Sequence, residues 1–176
     1  MELKRTLGGA LAGSVAAGVW VAQQPLDKRL FGTSYDDVEL LGKAVTRGPA
    51  WPAAGAAIHV ANGAAFGAAY ALARPFIPGP PLAAAVVAAM AENLAFWPLT
   101  PLVDRHHPAR SELEQLAGNR RAFAQATWRH LLFGLVLGEL EHRLNPADEF
   151  EPPGEVPVSS NGHGDIEQAT AGAAQA

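Results

Sequence analysis

Three long stretches of the chain carry almost no charge, and this feature constrains the fold more than any other. Residues 6–22 contain no Asp, Glu, Lys, Arg or His, residues 53–73 contain only His59, and residues 82–99 contain only Glu92. A water-exposed helix of this length would show a charged face. The stretches are therefore predicted to be membrane-spanning helices, which places the protein in the all-α, multi-pass class.

The amino-acid composition excludes several classes of partner and site. The chain has 176 residues, enough for one domain, and its net charge of −4 comes mostly from the C-terminal end. No basic patch with interleaved aromatic residues is present, so a nucleic-acid partner is not expected. The absence of cysteine excludes disulfides, thiolate metal sites and thiol catalysis.

Four transmembrane helices are predicted within residues 1–145, at about 6–24, 52–73, 82–99 and 123–144. The first stretch looks like a signal peptide, but its apolar run continues through Trp20, so it is expected to be retained as a span. The fourth span has a short apolar centre, and its charged residues are expected to reach toward the membrane interface: Arg129, Glu141 and Arg143.

The sequences of the loops between the spans predict a short helix and a tight turn. The first loop, residues 25–52, contains a short amphipathic helix at 35–45, capped by Ser34, with an apolar stripe of Val38, Leu41 and Val45. This helix is expected to lie on the membrane surface. The proline-rich residues 75–81 form a tight turn, which predicts that spans two and three pair as an antiparallel hairpin.

The remaining segments are polar. Residues 100–121 are predicted to be a charged loop in which Ser111 caps a short helix, and His106 and His107 are expected to be exposed to solvent. Residues 146–176 are rich in Pro, Glu, Gly, Ser and Ala and are predicted to be disordered. The basic residues favour loops one and three in the cytoplasm and both termini outside.

Small residues spaced four apart predict how the helices pack. Lipid gives helices little hydrophobic reason to associate, so close backbone approach has to hold them together. Glycine pairs with this spacing occur in three of the four predicted spans, and span three has alanines instead. The packing glycines are predicted to be Gly9, Gly13, Gly63, Gly67, Gly134 and Gly138.

Polar residues inside the spans are the candidate functional residues. His59, Glu92 and His130 each lie about seven residues, or roughly 10 Å, from the same side of the membrane. Asn62 and Asn93 fall close to the same depth. The sequence therefore predicts one polar layer between three helices.

Three main interpretations of this layer are open, and binding of a lipid or small molecule is a fourth. The side chains could form a proton or small-ion pathway, as intramembrane Glu and His residues do elsewhere. They could instead be hydrogen-bonding links between helices of a structural or assembly protein. In the third, two histidines and a carboxylate hold a metal ion, or the histidines hold a haem. No catalytic motif is present, so an enzyme is not expected.

The chain resembles the YagU-like bacterial inner-membrane proteins. The residues that carry the resemblance cover 8–145: Leu11-Ala12-Gly13, His59, Phe66-Gly67-Ala68-Ala69-Tyr70, Phe96-Trp97-Pro98-Leu99-Thr100-Pro101, Arg129-His130-Leu131-Leu132, Glu139 and Arg143-Leu144-Asn145. Glu92-Asn93 departs from what the resemblance leads one to expect in span three. The resemblance implies topology and no mechanism. The expected partners are the lipid bilayer and either a second copy of the chain or another membrane protein.

Overall fold

The computed structural model describes residues 2–146, and this part of the chain is helical without strands. Its α-helices are α1 (Glu2–Phe31), α2 (Asp37–Val45), α3 (Trp51–Ala73), α4 (Pro81–Phe96), α5 (Thr100–His106) and α6 (Arg120–Leu144). Single 3₁₀ turns follow α3 at Arg74–Phe76 and α4 at Trp97–Leu99. The predicted disordered tail lies, apart from Pro146, outside the described residues.

The first helix is longer than the predicted span. It begins at Glu2 and continues through Pro25 to Phe31, so the first loop does not begin at Pro25. Gly32, with φ near 61°, ends the helix in the left-handed conformation that glycine adopts without strain. The two additional turns carry Asp27, which is buried against α6.

The short helix in the first loop is present, with a different cap and a different buried face. Asp36, not Ser34, caps α2 by accepting a hydrogen bond from the backbone N–H of Glu39. Burial acts to raise the pKa of Asp36, but hydrogen bonds from Lys28 and from that N–H outweigh it and lower the pKa. The predicted apolar stripe is only partly buried, because Val38 is covered whereas Val45 is 69% exposed.

The predicted hairpin of spans two and three is wrong as a packing arrangement. α3 and α4 are joined by a short connection, yet they make almost no direct contact. α3 packs along α1, α4 packs along α6, and α1 packs against α6. The two outer helices therefore diverge, and a space remains between them.

Glycines lie at the helix contacts. A β-carbon added at Gly13 would overlap the carbonyl oxygen of Gly63, and one added at Gly67 would overlap that of Gly9, so α1 and α3 touch backbone to backbone. On α6, a β-carbon at Gly134 would lie 2.7 Å from Cα of Val86 in α4.

The remaining predicted packing glycine, Gly138, has Leu82 and Ala85 of α4 as close neighbours. A further pair of glycines at a helix contact was not predicted. Gly42 of α2 meets Trp51, and Gly55 of α3 meets Val38, so α2 is packed against α3 in the same way.

The outside of the bundle carries many large apolar side chains. On α1, exposed apolar side chains recur every fourth residue: Leu3, Leu7, Leu11 and Val15. The opposite face of α1 buries small residues and two polar ones, Gln24 and Asp27. Three helical segments have the length and composition to cross a membrane: Glu2–Phe31, Trp51–Phe76 and Pro81–His106. α6 is not among these segments.

The segment between α4 and α6 differs from its prediction. α5 follows α4 directly, and no helix begins at Ser111, because Glu112 and Glu114 are engaged elsewhere. Glu112 pairs with Lys43 and Arg47, and Glu114 accepts hydrogen bonds from Ser34. These contacts fasten the segment to the loop before α2 and to the end of α2.

His107 is buried, contrary to the prediction, whereas His106 is exposed. Nδ1 of His107 accepts a hydrogen bond from the backbone N–H of Ala109 at 3.1 Å. Its Nε2 therefore carries the hydrogen and donates to the carbonyl oxygen of Leu40 at 2.9 Å. The imidazole thus links the end of α5 to α2.

Replacing Gly13 with alanine tests the α1–α3 contact. The new methyl group meets backbone atoms that cannot rotate away, so we expect Gly13→Ala to destabilise the folded state by about 1–3 kcal/mol in detergent unfolding. Gly18→Ala is the matched control, because nothing lies within 4 Å of a β-carbon there and alanine is the better helix former. Equal stability of the two variants would contradict the packing described.

Candidate functional site

A cavity of about 380 Å³ lies between α3 and α4. Residues of α1 and α6 form its floor, and residues of α2 and the loop before it close one end. All five predicted polar residues line this one space: His59, Asn62, Glu92, Asn93 and His130. The divergence of α3 and α4 thus creates the site in which these residues meet.

Glu92 and His130 form a hydrogen-bonded pair across α4 and α6. Nε2 of His130 lies 2.6 Å from Oε2 of Glu92, and Nδ1 lies 2.7 Å from the carbonyl oxygen of Ala126. A carbonyl oxygen only accepts, so Nδ1 carries a hydrogen. The contact to Glu92 then requires one further proton, located on either the carboxyl group or the imidazole. In both cases the pair holds one shared proton and has no net charge.

His59 is near this pair but not bonded to it. The indole ring of Trp20 packs edge-on against both imidazoles, with centroid distances of 5.0 Å to His59 and 4.8 Å to His130. Nε2 of His59 is buried and has no hydrogen-bond partner within the described residues. Trp20 therefore holds the two histidines at the floor of the cavity.

The geometry does not assemble the predicted two-histidine, one-carboxylate metal set. No group of three or more His, Asp or Glu side chains in residues 2–146 is placed to hold a metal ion. Glu92 bonds to His130, whereas His59 contacts the ring of Trp20.

The two asparagines have different surroundings. Asn62 lies at the open side of the cavity and is exposed. Asn93 is 3% exposed and donates a hydrogen bond to the hydroxyl of Thr127 on α6 at 3.3 Å. Asn93 therefore links α4 to α6, while Asn62 is free to meet whatever occupies the cavity.

A buried ion cluster adjoins the cavity, and sequence reasoning missed it. Arg129 of α6 is fully buried and forms a two-point contact with Asp27 of α1, at 2.5 Å from Nε and 2.7 Å from Nη2. Its third nitrogen, Nη1, donates to Asp37 of α2 at 2.5 Å. Gln23 and Gln125 also donate to Asp27. Arg129 does not reach toward the membrane interface as predicted, and neither does Glu141, which is 2% exposed.

Asp37 joins the ion cluster to the cavity wall. It accepts hydrogen bonds from the indole N–H of Trp20 at 3.1 Å and from the hydroxyl of Tyr35 at 2.5 Å, besides the one from Arg129. Burial and the adjacent Asp37 carboxylate raise the pKa of Tyr35 well above its ordinary value. Tyr35 therefore stays protonated and keeps donating to Asp37.

The ion cluster could have been predicted from the spacing of three residues in α1. Placing residues 25–31 in a loop separated Asp27 from the helix that carries Gln23 and Trp20. Had the helix been continued through Pro25, Asp27 would have fallen four residues after Gln23 and seven after Trp20, on one face. A carboxylate on that face is the natural partner for an arginine in the centre of another apolar helix.

The chain matches no protein-family model, no curated protein and no solved structure. The resemblance to the YagU-like proteins stays a prediction. The function has to be inferred from the chemistry of the cavity and the ion cluster.

Replacing Arg129 with methionine tests the structural role of the cluster. The variant leaves Asp27 buried without its ionic partner, and breaking a buried ion pair costs about 3–5 kcal/mol. We expect Arg129→Met to lower the free energy of unfolding by that amount or to prevent folding. Arg143→Met is the control, because Arg143 is 70% exposed and its ionic partner within residues 2–146 is Glu139. A loss of similar size in both variants would contradict the assigned role.

Proposed function

We propose that the chain is an integral protein of the bacterial inner membrane in which α6 is the fourth span, and that it shares this topology with the YagU-like proteins. The distribution of side chains supports the proposal. Leucines face outward along α1, whereas the arginine and an aspartate of the ion cluster are buried. This arrangement suits a protein whose surroundings are hydrocarbon, because buried polar groups can then pair inside the bundle.

The charges of α6 do not oppose a membrane position. Arg129 pairs with Asp27 and Asp37, and His130 pairs with Glu92. Each group near the middle of α6 is thus neutralised by another helix, and this reduces the free energy of placing it in a membrane. Arg143 lies near the end of α6 and can reach the interface.

Topology mapping distinguishes four spans from three. With α6 as a span, both termini lie on the same side of the membrane. With α6 outside, they lie on opposite sides. We expect reporter fusions at Met1 and Ala176 to report the same side, and a reporter inserted within residues 108–118 to report the other. Opposite sides for the two termini would refute the fourth span.

Within this bundle, we propose that the cavity handles protons through Glu92 and His130. The observation that carries the proposal is the shared proton: Nδ1 is occupied by the Ala126 carbonyl, so Nε2 and Glu92 hold one proton between them. The pair borders an open space, since the Glu92 side chain is 39% exposed. Imidazole and carboxyl groups are the side chains that exchange protons in membrane pathways.

A structural or assembly protein is the second candidate. Asn93 supports it, because its hydrogen bond to Thr127 joins two packed helices and carries no exchangeable charge. In that case the Glu92–His130 bond also serves only to join α4 to α6. The two candidates differ in whether Glu92 has to ionise.

Glu92→Gln separates the candidates. The amide of glutamine can donate to Nε2 of His130 and keep the bond, but it cannot exchange a proton. For the full chain in vesicles with an internal pH-sensitive dye, we expect proton flux under an imposed pH gradient to fall at least tenfold, with thermal stability nearly unchanged.

Glu139→Gln is the matched control, because Glu139 is a half-exposed carboxylate on the same helix as His130. It should keep the wild-type flux. Wild-type flux in Glu92→Gln favours the structural candidate. Wild-type vesicles that conduct no faster than protein-free vesicles contradict the proton proposal.

A further inference from the structure

The cavity opens between α3 and α4, where its lining residues Asn62 and Phe96 are exposed. The outer surfaces of both helices carry exposed apolar side chains, including Leu72, Val87 and Leu94. In the membrane position proposed above, on which this inference rests, such an opening faces the hydrocarbon. A molecule that enters here therefore comes from the bilayer and is lipophilic.

The walls of the cavity are largely aromatic. Six aromatic side chains line it: Trp20, Tyr35, Phe66, Phe96, Trp97 and Phe133. Two edge-to-face pairs, Phe66 with Phe133 at 5.5 Å and Tyr35 with Trp97 at 6.3 Å, orient these rings. Such walls favour a flat aromatic occupant, which gains both buried area and ring contacts. The volume of about 380 Å³ falls in the range of small-molecule sites.

The charges of the lining indicate a neutral occupant. No lysine or arginine of residues 2–146 lines the cavity. Arg129, the nearest guanidinium, is committed to Asp27 and Asp37. A phosphate head group would find carboxylates without a free cation, which disfavours a phospholipid. A cation would find no unengaged carboxylate, because Asp37 already accepts hydrogen bonds from Arg129, Trp20 and Tyr35, and Glu92 is bonded to His130.

Besides Asn62 at the open side, two polar groups deeper in the cavity remain for the occupant. Nε2 of His59 is buried without a hydrogen-bond partner among residues 2–146, and an unsatisfied buried nitrogen destabilises the empty cavity. Glu92 is partly exposed and belongs to the helix that forms the opposite wall. An occupant with an oxygen at each end of its ring can hydrogen-bond on both walls.

We propose that the cavity binds a neutral, lipophilic molecule with a flat aromatic head that carries hydrogen-bonding oxygens, the chemistry of the isoprenoid quinones and quinols. The ring lies among the aromatic side chains, one oxygen bonds to His59, and another reaches Glu92. The apolar tail leaves between α3 and α4 into the lipid.

Saturation binding of tritiated decylubiquinone to the full chain in lipid nanodiscs, measured against empty nanodiscs, tests the proposal. Asn62→Trp places an indole at the open side of the cavity, and we expect it to raise Kd at least tenfold. Ala65→Trp is the matched control, because Ala65 is also exposed on α3 but does not line the cavity. It should change Kd less than twofold. Size-exclusion chromatography checks that both variants are folded.

His59 provides a second measurement. His59→Leu removes the ring nitrogen and should raise Kd about tenfold, while His59→Gln, which can still hydrogen-bond, should restore most of the affinity. Saturable binding with these differences supports the proposal. No saturable binding to the wild-type chain, or equal loss in Asn62→Trp and Ala65→Trp, overturns it.

Competition identifies the class of occupant. Excess unlabelled quinol should displace the probe, whereas the lipophilic cation tetraphenylphosphonium and added phosphatidylglycerol should not. Displacement by either of the latter at lower concentration overturns the assignment of a neutral aromatic head. Binding is measured without a pH gradient, so its failure refutes this inference alone. A chain that binds the probe but conducts no protons refutes the proton proposal alone.

Discussion

The ion pairs formed by the guanidinium group of Arg129 are the interactions on which the rest of the structure depends. This group is fully buried and joins three segments of the chain, α1 through Asp27, the loop before α2 through the carbonyl oxygen of Tyr35, and α2 through Asp37. A buried cation without its partners costs several kcal/mol. The folded state therefore requires α1 to continue past Pro25, and α2 to turn back over α6. The side chain of Arg129 thus fixes the path of the chain between α1 and α3.

Backbone contacts at glycines fix the distances between the packed helices. The glycines of α1 and α3 hold those helices together, and Gly134 and Gly138 do the same for α6 and α4. Each outer helix is held by its own inner partner, and α3 is joined to α4 near their connection, where the hydroxyl of Tyr70 donates to the carbonyl oxygen of Pro81. In water, a gap between two apolar helices would tend to close in order to bury surface. In lipid that driving force is absent, so the gap can persist.

The sequence was sufficient to predict the central parts of the four long helices and the small-residue contacts, because both depend on local spacing. The third helix was predicted within a residue at its start, and all six predicted packing glycines lie at helix contacts. Residues His59, Glu92 and His130 could be assigned a common depth from their distance to the helix ends, and they line one cavity.

Pairing between distant residues could not be predicted in the same way. Proline usually ends a helix, so α1 was stopped at Pro25 and Asp27 was left without its role. Ser111 has the residue type of a cap, but Glu112 and Glu114 form contacts with the first loop that a new helix would disrupt. In both cases a long-range ionic or hydrogen-bonding contact outweighed a local preference.

The two polar centres of the bundle are the Arg129 ion cluster and the Glu92–His130 pair. They differ in whether their protonation can change. The guanidinium of Arg129 keeps its proton at any physiological pH, so the ion cluster is a fixed structure. The Glu92–His130 pair is the centre at which we propose that protons are exchanged. Trp20 lies between the centres, with its N–H bonded to Asp37 and its rings against both histidines. A rearrangement of the pair on proton loss would therefore press on a side chain that is tied to α2, and the fixed cluster would limit how far that helix can move.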